Sequence, residues 1–191
     1  MKKRIFVLIL CLLMVIGLLT ACGGSPRVEP TPGVWDGYVF TSEYLGFRFV
    51  LPPGWDVAPD VGLALGGSQT LDMMVVSRIG VIQIFYTRNR HPGGRTPTFE
   101  ELMRRVVEAE EAQGARVVPD SVGTVTLGNY EWNFFDVEDE LMGMDISVRH
   151  LLNVRGAFLR RIIIAFDDKS DSIEDILAWF VGLDEPLPER R

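Results

Sequence analysis

The sequence predicts an α+β domain, a mostly antiparallel sheet of about six strands with helices packed on it. Three observations lead there. Short apolar runs rich in β-branched and aromatic residues recur, with turn-forming residues between them. The gaps between the later runs are too short for the crossovers that parallel strands need. One segment, residues 98–114, has instead the spacing and end signals of an amphipathic helix.

Taken in chain order, the first strand is residues 47–51, where Phe47, Phe49 and Leu51 alternate with Arg48 and Val50, and Pro52-Pro53-Gly54 ends it. Residues 73–79 and 81–86 form a second apolar pair joined through Gly80, which implies a hairpin or bulge. In the helix, Thr98 and Glu101 make a capping box. Phe99, Leu102, Met103, Val106 and Val107 share a face, and Gly114 supplies the stop. Strand patterns return at 122–127, 130–137, 146–154 and 157–166, with Gly128-Asn129 and Arg155-Gly156 as tight turns. A second helix is expected over about 172–183, with Ile173, Ile176, Leu177 and Phe180 as its stripe. Residues 184–191 read as a fraying tail.

The N-terminus gives an address. Lys2, Lys3 and Arg4 precede 15 uncharged, largely apolar residues from Ile5 to Leu19, and small residues follow. That is the layout of a secretory signal, and the run is short for a membrane span of about 20 residues. The stretch Leu19-Thr20-Ala21-Cys22 resembles the lipobox of bacterial lipoproteins. The resemblance implies cleavage after residue 21 and lipid on Cys22, which would hold the protein on the extracytoplasmic face of the cell membrane. Residues 22–37, with Pro26, Pro30 and Pro32, read as the lipidated Cys and a tether. Extended chain of that length spans roughly 40 Å. The folded domain is then expected over 38–183.

Charge and cysteine content exclude several classes of function. Without residues 1–21 the chain keeps 19 − 3 = 16 basic residues against 26 acidic ones, a net of −10. Such a surface is repelled by phosphate backbones and by anionic lipid headgroups, so neither nucleic acid nor broad electrostatic docking onto a membrane is expected. The chain has two cysteines, Cys11 and Cys22. Neither is available for a disulfide, a thiolate nucleophile or a metal site once one is cleaved off and the other acylated.

Thr41-Ser42-Glu43-Tyr44-Leu45-Gly46-Phe47-Arg48-Phe49-Val50-Leu51-Pro52-Pro53-Gly54-Trp55 resembles the opening of PsbP/Mog1-like domains. The later helix, the turn after Leu127, the meander and Trp179-Phe180 follow the same order, so the resemblance spans about residues 38–183. It implies an α/β/α sandwich that serves as a non-catalytic interaction module, and it carries no functional residue with it.

Two side-chain groups stand out. Arg88, Arg90, His91 and Arg95 crowd the loop before the helix N-terminus, a place suited to a carboxylate or phosphate. The plainer reading is a solvated loop. Asp136, Glu138, Asp139, Glu140 and Asp145 surround a hairpin tip, but their spacing is not that of a calcium loop and they read as a solvated face. The two histidines, His91 and His150, lie in no catalytic motif, and no cofactor or metal is expected. The expectation is a lipid-anchored binding or accessory module of the cell envelope, attached to the membrane through Cys22, with an envelope protein or anionic ligand as partner. The alternative is an envelope enzyme acting on carbohydrate or lipid.

Overall fold

Two faces of one sheet are buried, and alternation along its strands decides what covers each. The computed structural model describes residues 29–58, 69–78, 80–88, 97–141, 144–167 and 172–189. Its elements in chain order are β1 (Val34–Asp36), β2 (Val39–Ser42), β3 (Phe47–Val50), β4 (Asp56–Val57), β5 (Gln69–Val76) and β6 (Gly80–Arg88). Helix α1 (Phe99–Ala112) follows, then β7 (Arg116–Val117), β8 (Gly123–Leu127), β9 (Tyr130–Leu141), β10 (Met144–Arg155) and β11 (Phe158–Phe166). Helix α2 (Ile173–Leu177) and β12 (Phe180–Gly182) complete the set.

The strands form two sheets, all of whose pairs are antiparallel. The large one runs β4-β5-β6-β11-β10-β9-β7, with β8 on the same edge of β9 as β7, and the small one runs β1-β2-β3-β12. On one face of the large sheet, Met73, Ile82, Ile84, Trp132, Leu151, Ile162 and Ile164 pack against Phe40, Phe47 and Phe49 of the small sheet and Ile173 and Ile176 of α2. On the other face, Phe135, Val137, Val148, Leu152 and Leu159 meet Leu102, Phe99, Met103, Val106 and Val107 of α1. The capping box forms as the sequence predicts. Thr98 Oγ1 accepts from the Glu101 amide at 3.3 Å, and Glu101 returns its carboxylate to the Thr98 amide at 3.0 Å.

The mostly antiparallel α+β reading holds, but one layer differs from expectation. There are two sheets, and the face opposite α1 is covered by strands more than by helix. Residues 34–36, expected in the tether, form β1, whose Trp35 rests against Phe40 at 5.4 Å between ring centroids. The second helix stops at Leu177, and Phe180 pairs with Phe49 as the edge of the small sheet. The reason is aromatic packing. As a strand residue Phe180 meets Phe47 edge-on at 5.2 Å and Phe49 at 4.8 Å, inside the core. The beginning of the tail is held as well, because Arg48 donates to the carbonyls of Gly182 and Glu185.

Gly128 shows how closely the layers approach. It has φ +57°, its neighbour Asn129 donates to the Gly46 carbonyl at 2.9 Å, and an added Cβ would lie 2.2 Å from that oxygen. Gly156 has nearly the same φ, +60°, with open space around it. Gly128→Ala is therefore expected to lose at least about 2 kcal/mol by urea unfolding, and Gly156→Ala only about 1 kcal/mol. Equal losses would contradict the close approach.

Candidate functional site

The loop between β2 and β3 places a backbone carbonyl where two guanidiniums converge. The Tyr44 carbonyl accepts from Arg155 Nη1 at 2.8 Å and from Arg160 Nη1 at 2.9 Å. Register brings these residues together. Asn153 and Arg160 are cross-strand partners on β10 and β11, and Arg155 closes the same hairpin opposite Phe158. Arg160 Nε donates to Asn153 Oδ1 at 3.1 Å, and its Nη2 bonds the same oxygen. Arg155 Nη1 also reaches the Tyr130 hydroxyl at 2.6 Å.

Arg160 is 1% exposed, and no carboxylate among the described residues pairs with it. Aromatic faces take that place. The guanidinium carbon lies 4.5 Å from the Tyr130 ring centroid, 5.2 Å from Trp132 and 5.6 Å from Tyr44. Burial lowers the Arg160 pKa to about 10, so it is still a cation at neutral pH.

The cluster continues toward the N-terminal segment. Asp72, at the bulge between Leu71 and Met73, accepts from the Gly33 amide at 3.0 Å and from the Tyr86 hydroxyl. Burial raises the pKa of both Asp72 and Tyr86. Tyr86 meets Tyr44 edge-on at 5.3 Å, and the buried Tyr44 hydroxyl has no partner among the described residues. Arg88, at the end of β6, places its guanidinium carbon 5.5 Å from the Phe158 ring centroid and pairs with Glu29 Oε1 at 3.1 Å. One end of the sandwich thus gathers Arg88, Arg155 and Arg160 where residues 29–33 join the domain.

Of the residues singled out in the sequence, Arg88 lies in this cluster. Arg90, His91, Arg95 and Cys22 lie outside the described residues. Of the carboxylates around the β9–β10 hairpin, Asp136 holds Arg149 through two bonds at 2.7 and 2.8 Å, and Glu138 pairs with Arg116. Among the described residues no group of three or more His, Cys, Asp or Glu is placed to hold a metal ion.

A second polar group sits beneath α1. His150 is 2% exposed and stacks on Phe135 at 4.8 Å between centroids, while Arg161 on β11 reaches both His150 Nδ1 and Glu110 of α1. A guanidinium only donates, so Nδ1 accepts and the ring proton sits on Nε2. Nε2 is 4.0 Å from Glu110 Oε1 and has no hydrogen-bond partner among the described residues. The sequence hinted at both clusters, because Arg160-Arg161 interrupts an otherwise apolar strand. Which partners they meet was not legible there.

No family model matches the chain, and no curated protein does. Among solved structures it is similar to the solution structure of cyanobacterial PsbP (CyanoP) from Synechocystis, at 11% identity and a TM-score of 0.46, over 78% of this chain and 93% of that one. It is also similar to a crystal structure from Bacteroides thetaiotaomicron, at 12% identity and a TM-score of 0.42. That match covers 69% of this chain, which spans only 42% of the length of the other.

Burial first, and then the charge of Arg161, push the His150 pKa from 6.5 down to about 3. The unfolded chain therefore takes up a proton near pH 6.5 that the folded protein refuses until about pH 3. Stability associated with the neutral ring is whole above pH 6.5 and is lost as pH falls toward 3, at up to about 1.4 kcal/mol per pH unit. In His150→Gln this loss disappears. The stability gap between wild type and variant is expected to move in favour of the variant between pH 7 and pH 5, as read by denaturant unfolding. A gap independent of pH would contradict the burial of a neutral imidazole.

Proposed function

We propose that the protein is a lipid-anchored, non-catalytic binding or accessory module on the extracytoplasmic face of the cell membrane, with a domain of PsbP/Mog1-like type. The observation that carries the reading is Cys22 in Leu19-Thr20-Ala21-Cys22, directly after a charged start and an uncharged run. The path of the chain supports it. Glu29, seven residues after Cys22, already touches the domain through Arg88, and Gly33 is fastened to Asp72. The linker is then shorter than the whole Pro-containing stretch, and the lipid holds the arginine-rich end close to the bilayer. With no cysteine after residue 22, the domain relies on its two apolar cores.

The non-catalytic reading rests on how the polar side chains are used. Arg155 and Arg160 hold the Tyr44 carbonyl, and Arg161, Glu110 and His150 hold one another. The PsbP/Mog1-like assignment rests on the residue 41–55 opening and the order of elements after it.

Cells fed a clickable palmitate analogue test the anchor. Wild type is expected in the membrane fraction, labelled and shortened by residues 1–21, and Cys22→Ser unlabelled and uncut. Wild-type protein recovered unlabelled from the cytosol with residues 1–21 intact would overturn the reading.

A further inference from the structure

The mature chain is acidic, with 16 − 26 = −10, yet its membrane-proximal end in the reading above is built around arginines. Arg155, Phe158 and Arg88 stand in one row across β10, β11 and β6, as successive cross-strand partners. The two arginines are thus about 10 Å apart at ordinary strand spacing. Both are partly exposed, unlike Arg160 behind them. The Arg88 guanidinium carbon lies 5.5 Å from the Phe158 ring centroid, and its carboxylate partner is Glu29 at 3.1 Å.

Glu29 is also where the chain leaves toward Cys22. Seven residues of extended chain span at most about 25 Å, so Glu29, which Arg88 pairs with, stays within that reach of the lipid-bearing residue. The fork of N–H donors on a guanidinium suits an oxyanion, and a phosphate offers it more acceptor oxygens than a carboxylate does.

We propose that Arg88, with Arg155 two strands away, binds the phosphate of an anionic phospholipid headgroup in the bilayer that holds the protein, and that Glu29 fills this place when no headgroup is there. The proposal rests on the lipid-anchor reading. It makes the Glu29–Arg88 pair an internal stand-in: the headgroup takes over the guanidinium, and the Glu29 carboxylate turns to water. The domain then engages the membrane by this end in spite of the overall charge of −10.

The test uses residues 22–191 carrying Cys22→Ser, so that no lipid contributes; all the described packing lies within residues 29–189. Sedimentation with phosphatidylglycerol vesicles at low salt is compared with phosphatidylcholine vesicles. Binding is expected with the first only. Arg88→Gln should weaken it about fivefold, the effect of one basic residue at an anionic surface. Glu29→Gln should tighten it by a similar factor, and the double variant should match Arg88→Gln. Glu111→Gln and Arg104→Gln, exposed positions on α1, make the same charge changes away from the site and should leave binding unchanged.

Failure of Glu29→Gln to tighten binding, or an equal effect from Glu111→Gln, would overturn the proposal. Because Glu29→Gln leaves Arg88 intact, it decides the matter even if Arg88→Gln fails to fold. A thermal shift with millimolar inorganic phosphate but no vesicle binding would also overturn it, since the site would then serve a free anion. Palmitate labelling of wild-type cells reports on the anchor separately: labelled protein with no vesicle binding removes this inference alone.

Discussion

Two guanidiniums on one carbonyl tie the sheets of this domain together. Arg155 and Arg160 belong to the large sheet, and Tyr44 belongs to the loop between β2 and β3 of the small one. A buried cation with no carboxylate costs several kcal/mol unless other groups replace its water. Here the Tyr44 carbonyl, Asn153 Oδ1 and three aromatic faces do so, each desolvated ring contributing up to about 2 kcal/mol. The arrangement is specific because it is costly to disturb. Moving the loop away would leave Arg160 Nη1 without the carbonyl it bonds.

The rest of the architecture follows from that tie. With Tyr44 fixed, Gly46 presents its carbonyl to Asn129 against Gly128, and the turn between β8 and β9 closes on the loop. Phe47 and Phe49 then face the large sheet, and Phe180 fits between them. The outer face of the large sheet is solved separately, by α1 over Phe135, Val148 and Leu152. Arg161 repeats the logic there at smaller scale, with Glu110 as a charged partner and His150 kept neutral.

Much of this was legible in the sequence because the signals are local. The capping box announced α1, and alternating apolar runs with Gly128 and Gly156 announced the meander. The short strands were not legible: three residues such as Val34–Asp36 or Phe180–Gly182 are too few to show a period. Phe180 also continued a helical stripe from Ile173, so pattern alone favoured the wrong element. The arginine cluster was invisible for a different reason. Its bonds join residues 111 and 116 positions apart, and nothing local marks Tyr44 as their target. Of the basic loop read from the sequence, Arg88 alone lies within the described residues, at the edge of that cluster.

Amide hydrogen exchange in Arg160→Met tests the tie most directly, because methionine keeps the apolar volume and removes the donors. The amides of Gly46 and Asn129, which bond the Ser42 and Gly46 carbonyls, should lose protection while the paired amides of β10 and β11 keep theirs. Unchanged protection at Gly46 and Asn129 would show that the loop is held without the guanidiniums, and would contradict the account.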